Sequence, residues 1–157
     1  MTLIARRKHC FSNQFVLLAR GKPIGEFRNR WLGERIDIQL LERRHLLFER
    51  VGLFSTQYVL SDDDGQTLAS ARKAGFLSSR WDLELPEGSA EMERKGLLSS
   101  RFVIERNGSA IADVGCCSFF STDWQVESDG SLQDTSCLLI GLVYHAIRRR
   151  RRNSSNT

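Results

Sequence analysis

No C-x-x-C pair occurs among the four cysteines, Cys10, Cys116, Cys117 and Cys137, and two of them are adjacent. Adjacent thiols rarely chelate one tetrahedral metal, and the three histidines, His9, His45 and His145, are scattered. The chain therefore calls for no zinc site, no other metal and no cofactor. No histidine is spaced as the partner of a nucleophilic thiol, so the four cysteines are expected as small core residues. No G-x-S-x-G elbow surrounds a serine, and no acid–base pair stands out, so no enzyme chemistry is expected. The first residues, MTLIARRKHCF, lack the apolar run of about 7–15 residues that a signal peptide needs. Reduced thiols and a cytoplasmic location, peripheral to a membrane at most, are the expectation.

A general basic surface is also missing. Five of the 23 basic residues are Arg148 to Arg152, and the remaining 18 balance 19 acidic ones. A near-neutral body with a basic tail does not suit a nucleic-acid-binding face, so no nucleic acid is expected as a partner. A chain of 157 residues is most simply one domain, long enough to bury a core.

What the chain does have is a repeat. Residues 52–60 read GLFSTQYVL and residues 96–104 read GLLSSRFVI. Related stretches begin at 9, 30, 75 and 118, so six units follow one another at spacings of 21 to 23 residues. Each opens on two apolar residues, usually followed by Ser. Alternating apolar positions come next: Tyr58 and Leu60, Trp81 and Leu83, Phe102 and Ile104, Trp124 and Val126. That period of two marks a half-buried strand. A turn signal follows in Asp64-Gly65, Glu87-Gly88, Asn107-Gly108 and Asp129-Gly130, and Gly21 with Pro23 does the same in the first unit. The second unit lacks its glycine. Ile24, Leu68 and Ile111 then open a returning strand.

Each unit is thus a β-hairpin. Five complete units give ten strands, the sixth gives one more, and Thr2 to Lys8 can supply a twelfth. An antiparallel meander of that length curls and closes, which removes its edges. The expected fold is all-β with one helix: a roughly twelve-stranded antiparallel closed barrel of hairpin repeats. Such a barrel is too wide for side chains alone to fill. The segment Cys137 to Ile147 is apolar nearly all round and reads as a helix buried on every side. At about 1.5 Å per residue it is too short to cross a hydrocarbon core of about 30 Å, so no transmembrane span is expected. The barrel interior is its place. The domain is drawn as residues 1–147 with the central helix at 137–147, and residues 148–157 as a basic, polar, disordered tail.

Most polar clusters read as structure. Asp62-Asp63-Asp64-Gly65 lacks the alternate spacing of a calcium loop and reads as a solvated hairpin tip. The recurring serines read as turn or strand-entry hydrogen bonders. His145 reads as a satisfied core histidine. Phe15, Tyr58, Trp81, Phe102 and Trp124 read as core rather than as a base-stacking platform. The candidate binding residues are Arg148, Arg149, Arg150, Arg151 and Arg152, joined by Arg6, Arg7 and Lys8 where the termini meet. They form a candidate anion or lipid site, since each basic residue near an anionic membrane contributes about 1 kcal/mol.

The hairpin repeats with F-S-x-x-aromatic, the stretch S-F-F-S-T-D-W-Q-V-E from Ser118 to Glu127, the short acidic turn and the apolar helix ending in arginines resemble the LURP-one-related family. That family belongs to the tubby C-terminal-like superfamily, with phospholipid scramblases as relatives. The resemblance covers about residues 9 to 150. It implies a twelve-stranded barrel around a central hydrophobic helix, and a peripheral binding module for anionic lipid head groups. The alternative is a protein-interaction or scaffold barrel. The stretch Glu127 to Thr135 has only Glu127, Asp129 and Asp134 as carboxylates, too few for the calcium segment proposed in scramblases.

Burial of the seven large apolar residues of the 137–147 segment is worth on the order of 10–20 kcal/mol gross. Net stabilities are about 5–15 kcal/mol. A chain stopped at Ser136 is therefore predicted not to fold, and a cooperative thermal transition in that truncation would contradict the buried plug.

Overall fold

The computed structural model describes residues 1–30, 33–118 and 121–156. Among these, twelve strands run in sequence: β1 (Thr2–Arg7), β2 (Gln14–Ala19), β3 (Lys22–Asn29), β4 (Ile36–Leu40), β5 (His45–Val51) and β6 (Gln57–Asp62), then β7 (Thr67–Lys73), β8 (Trp81–Leu85), β9 (Gly88–Arg94), β10 (Phe102–Arg106), β11 (Ser109–Cys116) and β12 (Trp124–Ser128). One helix, α1 (Asp134–Ser155), follows. Each strand pairs antiparallel with its neighbours in sequence, and β1 pairs with β12, so the barrel closes. Thr2–Arg7 is the twelfth strand anticipated from the repeat. The apolar residues Trp31, Leu32, Phe119 and Phe120 of the second and sixth units lie outside the described residues.

Strand alternation sets what faces inward. Phe15 and Leu17, Tyr58 and Leu60, Trp81 and Leu83, Phe102 and Ile104, and Trp124 and Val126 are all buried. The residues between them face out, as Val16, Val59, Asp82, Val103 and Gln125 do, and other outward positions carry charge, among them Glu26, Asp37, Glu91 and Glu127. Ile24, Leu68 and Ile111, which open the returning strands, are only partly buried and pack against the edge of the core.

A meander has two kinds of connection. Those from even to odd strands are tight. Arg20-Gly21 has φ of 51° and 75°, and Asn107-Gly108 has 52° and 77°, the paired positive values of a type I′ hairpin. At the β6–β7 tip, Asp62 Oδ1 accepts from the amides of Asp64 and Gln66 at 3.0 and 2.9 Å. The aspartate run is a solvated hairpin tip, as its spacing predicts. The second unit makes its turn without glycine. Glu42 and Arg43 adopt φ of 68° and 60° instead, a conformation that a Cβ disfavours.

The helix fills the lumen. Ser136 through Ala146 are buried, and Leu139, Ile140, Leu142 and Val143 have no exposure. At the entry end, Glu87 accepts from the Gln133 amide and from the Ser136 hydroxyl. The helix is longer than the expected 137–147. It starts at Asp134 and continues through all five arginines to Ser155, where a disordered tail was expected. Arginine is a good helix former, cations suit a helix C-terminus, and Arg150 is tied to Glu34 on the rim. The cysteines also differ from expectation: only Cys137 is buried, whereas Cys10 and Cys117 are exposed and Cys116 is half-buried. Cys10 falls in an outward loop, and Cys116 and Cys117 lie where β11 runs out.

One glycine is set by packing. A Cβ on Gly141 would lie 1.9 Å from the Trp124 ring, and Trp124 has no exposure and no room to swing. Gly141→Ala gains roughly 1 kcal/mol of helix propensity and loses about 1–3 kcal/mol to overpacking. The variant is expected to be less stable by denaturant midpoint. Gly141→Ala combined with Trp124→Phe should cost less than the two single changes added together.

Candidate functional site

The helix leaves the barrel at the end opposite Glu87. Its last buried turn carries Tyr144 and His145 inside an aromatic belt. Phe15 and Phe27 stack at 4.9 Å, and His145 meets both edge-on at 5.1 and 5.5 Å. Phe102 meets Tyr144 edge-on at 6.0 Å. The belt arises because the repeat places an aromatic residue first or second in five of the six even strands. His145 Nε2 donates to Asn29 Oδ1 at 2.7 Å, so it is the satisfied core histidine expected.

The termini do meet. Arg7, Arg148, Arg149 and Arg152 line one pocket of about 210 Å³, with Phe15, Asn29, Thr122, His145 and Asn153. Arg148 donates to the Ser121 carbonyl at 3.1 Å and lies over the Tyr144 ring, and Arg149 donates to the Arg30 carbonyl. Arg7 lies over the Phe15 ring and donates from Nη1 to the Cys10 carbonyl at 2.9 Å, while its buried Nε has no partner. No carboxylate is among the described residues lining this pocket. The nearby Asp123 turns its carboxylate to the Arg7 amide at 3.0 Å. Partial burial, then the Arg148 and Arg7 guanidiniums, lower the pKa of Arg152.

The other four candidates stand apart. Lys8 pairs with Glu26 at 2.7 Å. Arg150 makes a forked bond to Glu34, which also accepts from the Tyr58 hydroxyl at 3.3 Å and faces Arg50 at 3.3 Å. Burial works to raise the Glu34 pKa, but its bond to Arg150 and the Arg150 and Arg50 charges outweigh it and hold it low. Arg6 points to the outer wall between the inward Ala5 and the half-buried Arg7, and Arg151 is exposed on the helix. The sequence singled out neither Glu34 nor Asn29, since only barrel closure brings β3 and the β3–β4 loop beside the helix end.

Around this pocket lies a feature that the repeat contained and that was read only as strand grammar. A meander returns to the same end every second strand, so all six odd-to-even loops surround the arginines. Four loops share one build. The amides of Ser12, Ser78, Ser99 and Ser121 donate to the carbonyls three residues back, at 2.9 to 3.3 Å. Each serine hydroxyl then accepts from the amide two residues on, at 2.9 to 3.1 Å. The recurring serines are turn formers, as expected.

In the turns at 9–12, 75–78 and 96–99 the corner is the repeat's opening pair: Cys10 and Phe11, Phe76 and Leu77, Leu97 and Leu98. Leu53 and Phe54 hold the matching place at 52–55. Phe11, Leu53, Phe54, Phe76, Leu77, Leu97 and Leu98 are 92% to 103% exposed. Turn corners normally carry Gly, Pro, Asn, Asp or Ser, so these pairs run against local preference. Beneath three of the tips a cation ending the preceding strand donates to the first corner carbonyl: Arg7 to Cys10, Lys73 to Phe76 at 3.1 Å, and Arg94 to Leu97 at 3.1 Å. The signal was in the sequence as a basic residue just ahead of each apolar pair.

His145 gives this end a pH dependence. Burial first, then the charges of Arg149, Arg148, Arg152 and Arg7, lower its pKa from 6.5 to about 3. The unfolded chain takes up that proton near pH 6.5 and the fold refuses it until about pH 3. The contribution of neutral His145 is therefore complete above pH 6.5 and is lost progressively as pH falls. By pH 5 the loss is about 2 kcal/mol. Denaturant midpoints at pH 7 and pH 5 should fall more for the wild-type chain than for His145→Gln. Equal slopes would contradict the assignment.

Among the described residues, no group of His, Cys, Asp and Glu is arranged to hold a metal ion, and no helix is long and apolar enough to cross a membrane. Compared with protein-family models, with curated proteins and with solved structures, the chain matches none.

Proposed function

We propose that this barrel is a non-enzymatic peripheral module that binds anionic lipid head groups at a membrane surface. One observation carries the reading. Arg7, Arg148 and Arg152, from opposite termini, converge on one pocket whose described lining holds no carboxylate, and partial burial, then the Arg148 and Arg7 charges, lower the pKa of Arg152. Guanidiniums gathered this closely repel one another, and an anion relieves that repulsion through forked hydrogen bonds. By contrast, Lys8 is paired with Glu26 and Arg150 with Glu34. Asn29, Thr122 and Asn153 add neutral donors of the kind that orient a phosphate. The resemblance to LURP-one-related and tubby-like proteins points to the same ligand class by analogy. A cytoplasmic membrane face, with its anionic lipids, is the matching location.

The test is co-sedimentation with neutral phosphatidylcholine vesicles and with vesicles in which one third of the lipid is phosphatidylserine. The wild-type chain should pellet with the anionic vesicles and be released by salt. Removing three cations at about 1 kcal/mol each predicts that Arg7→Gln/Arg148→Gln/Arg152→Gln weakens binding about a hundred-fold, with a cooperative thermal transition as the check that it folds. Anionic binding that survives in this variant would overturn the head-group reading and favour a protein-interaction barrel.

A further inference from the structure

The rim carries more than charge. We infer that the loop end of the barrel is a bilayer-docking face: the barrel stands end-on, with the apolar corners at Phe11, Phe54, Phe76, Leu77 and Leu98 inserted below the head groups. This rests on the head-group reading of the arginine pocket, and adds to it where the protein touches the membrane and how it is oriented.

Four properties of the rim lead there. The first is exposure without scatter. Scattered apolar side chains on a surface need no explanation, but seven large ones, all at loop corners on one end, form a patch that a lone soluble barrel rarely presents. Among the described residues, the opposite end shows one comparable residue, Leu41, at 60% exposure.

The second is backbone satisfaction. A loop that dips toward hydrocarbon carries amides and carbonyls that lose their water, and each must find a partner. In these corners the serine amide closes the turn, the serine hydroxyl takes the next amide, and Arg7, Lys73 or Arg94 takes the first corner carbonyl. A corner exposed only to water needs no such cation.

The third is layering. Aliphatic and aromatic tips stand outermost, with Arg7, Lys73 and Arg94 one step behind them and the Arg148–Arg152 turn at the centre. Apolar, then cationic, is the order an anionic leaflet presents in reverse.

The fourth concerns the wall. On the outer face Asp82 lies opposite Glu91, and Glu91 opposite Glu105, so three carboxylates stand in one cross-strand row. Glu26, Asp37 and Glu127 also face outward. Several of these carboxylates are paired with Lys8, Arg30 or Arg80, so the wall carries charge of both signs. Charged outward positions do not suit hydrocarbon, so neither side-on insertion nor a spanning barrel fits. A second copy of the chain does not suit the rim either. Stacking two rims would hold two arginine clusters face to face. A fluid plane meets every tip at once and supplies the counter-charge.

The experiment places tryptophan probes in the full chain. Phe76→Trp reports a rim tip and Asp63→Trp reports a tip at the opposite end. Each is read as fluorescence added over the wild-type chain, on phosphatidylserine-containing vesicles with and without bromine on the acyl chains. Insertion predicts a blue shift and strong quenching of the Phe76→Trp signal by brominated lipid, with no change for Asp63→Trp. It also predicts that Phe54→Ser/Phe76→Ser/Leu77→Ser/Leu98→Ser loses about a hundred-fold or more in vesicle affinity, since four large apolar side chains no longer leave water. All four positions are exposed, so the thermal midpoint should hold and serves as the control for folding.

Salt-sensitive pelleting with an unquenched Phe76→Trp signal would overturn the docking face and leave the head-group pocket standing. Quenching of equal strength on neutral vesicles would uphold the docking face and overturn the pocket. No vesicle binding, with a dimer in sedimentation equilibrium that the four-serine variant abolishes, would overturn both and make the rim a contact between copies.

Discussion

A twelve-stranded barrel encloses more space than inward side chains can fill, and the rest of this structure follows from how that space is occupied. The helix from Asp134 to Ser155 is the occupant. Its apolar stretch sits among inward residues from all parts of the wall, and Gly141 lets the Trp124 ring lie against the helix backbone. Neither part is sensible alone. The wall without the helix has a void, and the helix without the wall has Leu139, Ile140, Leu142 and Val143 in water. The two should form in one cooperative step, and the last residues of the folded core to be synthesised are then needed to complete the first ones.

The same arrangement delivers charge to one end. A helix entering beside Glu87 must leave at the opposite rim, and its fifth turn opens the run of arginines. That rim is also where the N-terminal strand ends in Arg7 and where every odd-to-even loop turns. The two ends of the barrel consequently differ in kind. One carries tight polar turns such as Asn107-Gly108. The other carries long loops with apolar corners, a cation behind several of them, and a cationic centre held around the neutral His145. The asymmetry is a property of the repeat unit, multiplied by closure. Chemistry that sits in the loop half of one hairpin recurs at several places on the rim.

Two kinds of arginine share this rim. Arg150 is bound to Glu34, and its pKa is raised chiefly by that bond. Arg152 has Arg148 and Arg7 for company, and its pKa is lowered by partial burial and by their charges. The first is structure, fixing the helix end against the β3–β4 loop. The second stores repulsion that an anion can relieve. A run of five identical residues in sequence is thus divided by the angular position of each on the helix, about 100° apart.

Much of the fold was legible before any coordinates, because the repeat carries its own period and strand alternation is local. Tyr58 and Leu60 or Trp124 and Val126 announce an inward face, and Asn107-Gly108 announces a turn, through interactions that reach only a few residues. The need for a buried plug followed from strand count, and the Cys137–Ile147 stretch was the only segment apolar enough to serve. The sequence by itself therefore determined the strands, the turns, the closed meander and the occupant of its lumen. It did not reveal that the Leu and Phe residues opening the first, third, fourth and fifth units stand exposed, since apolar side chains at a strand's approach ordinarily mark its buried beginning. Nor could it separate Arg152 from Arg150, or place Cys10 outside the core. Those outcomes depend on closure of β1 onto β12, which brings residues more than 100 positions apart to one rim. Charge and exposure there are set by neighbours in space, and only the tertiary structure chose them.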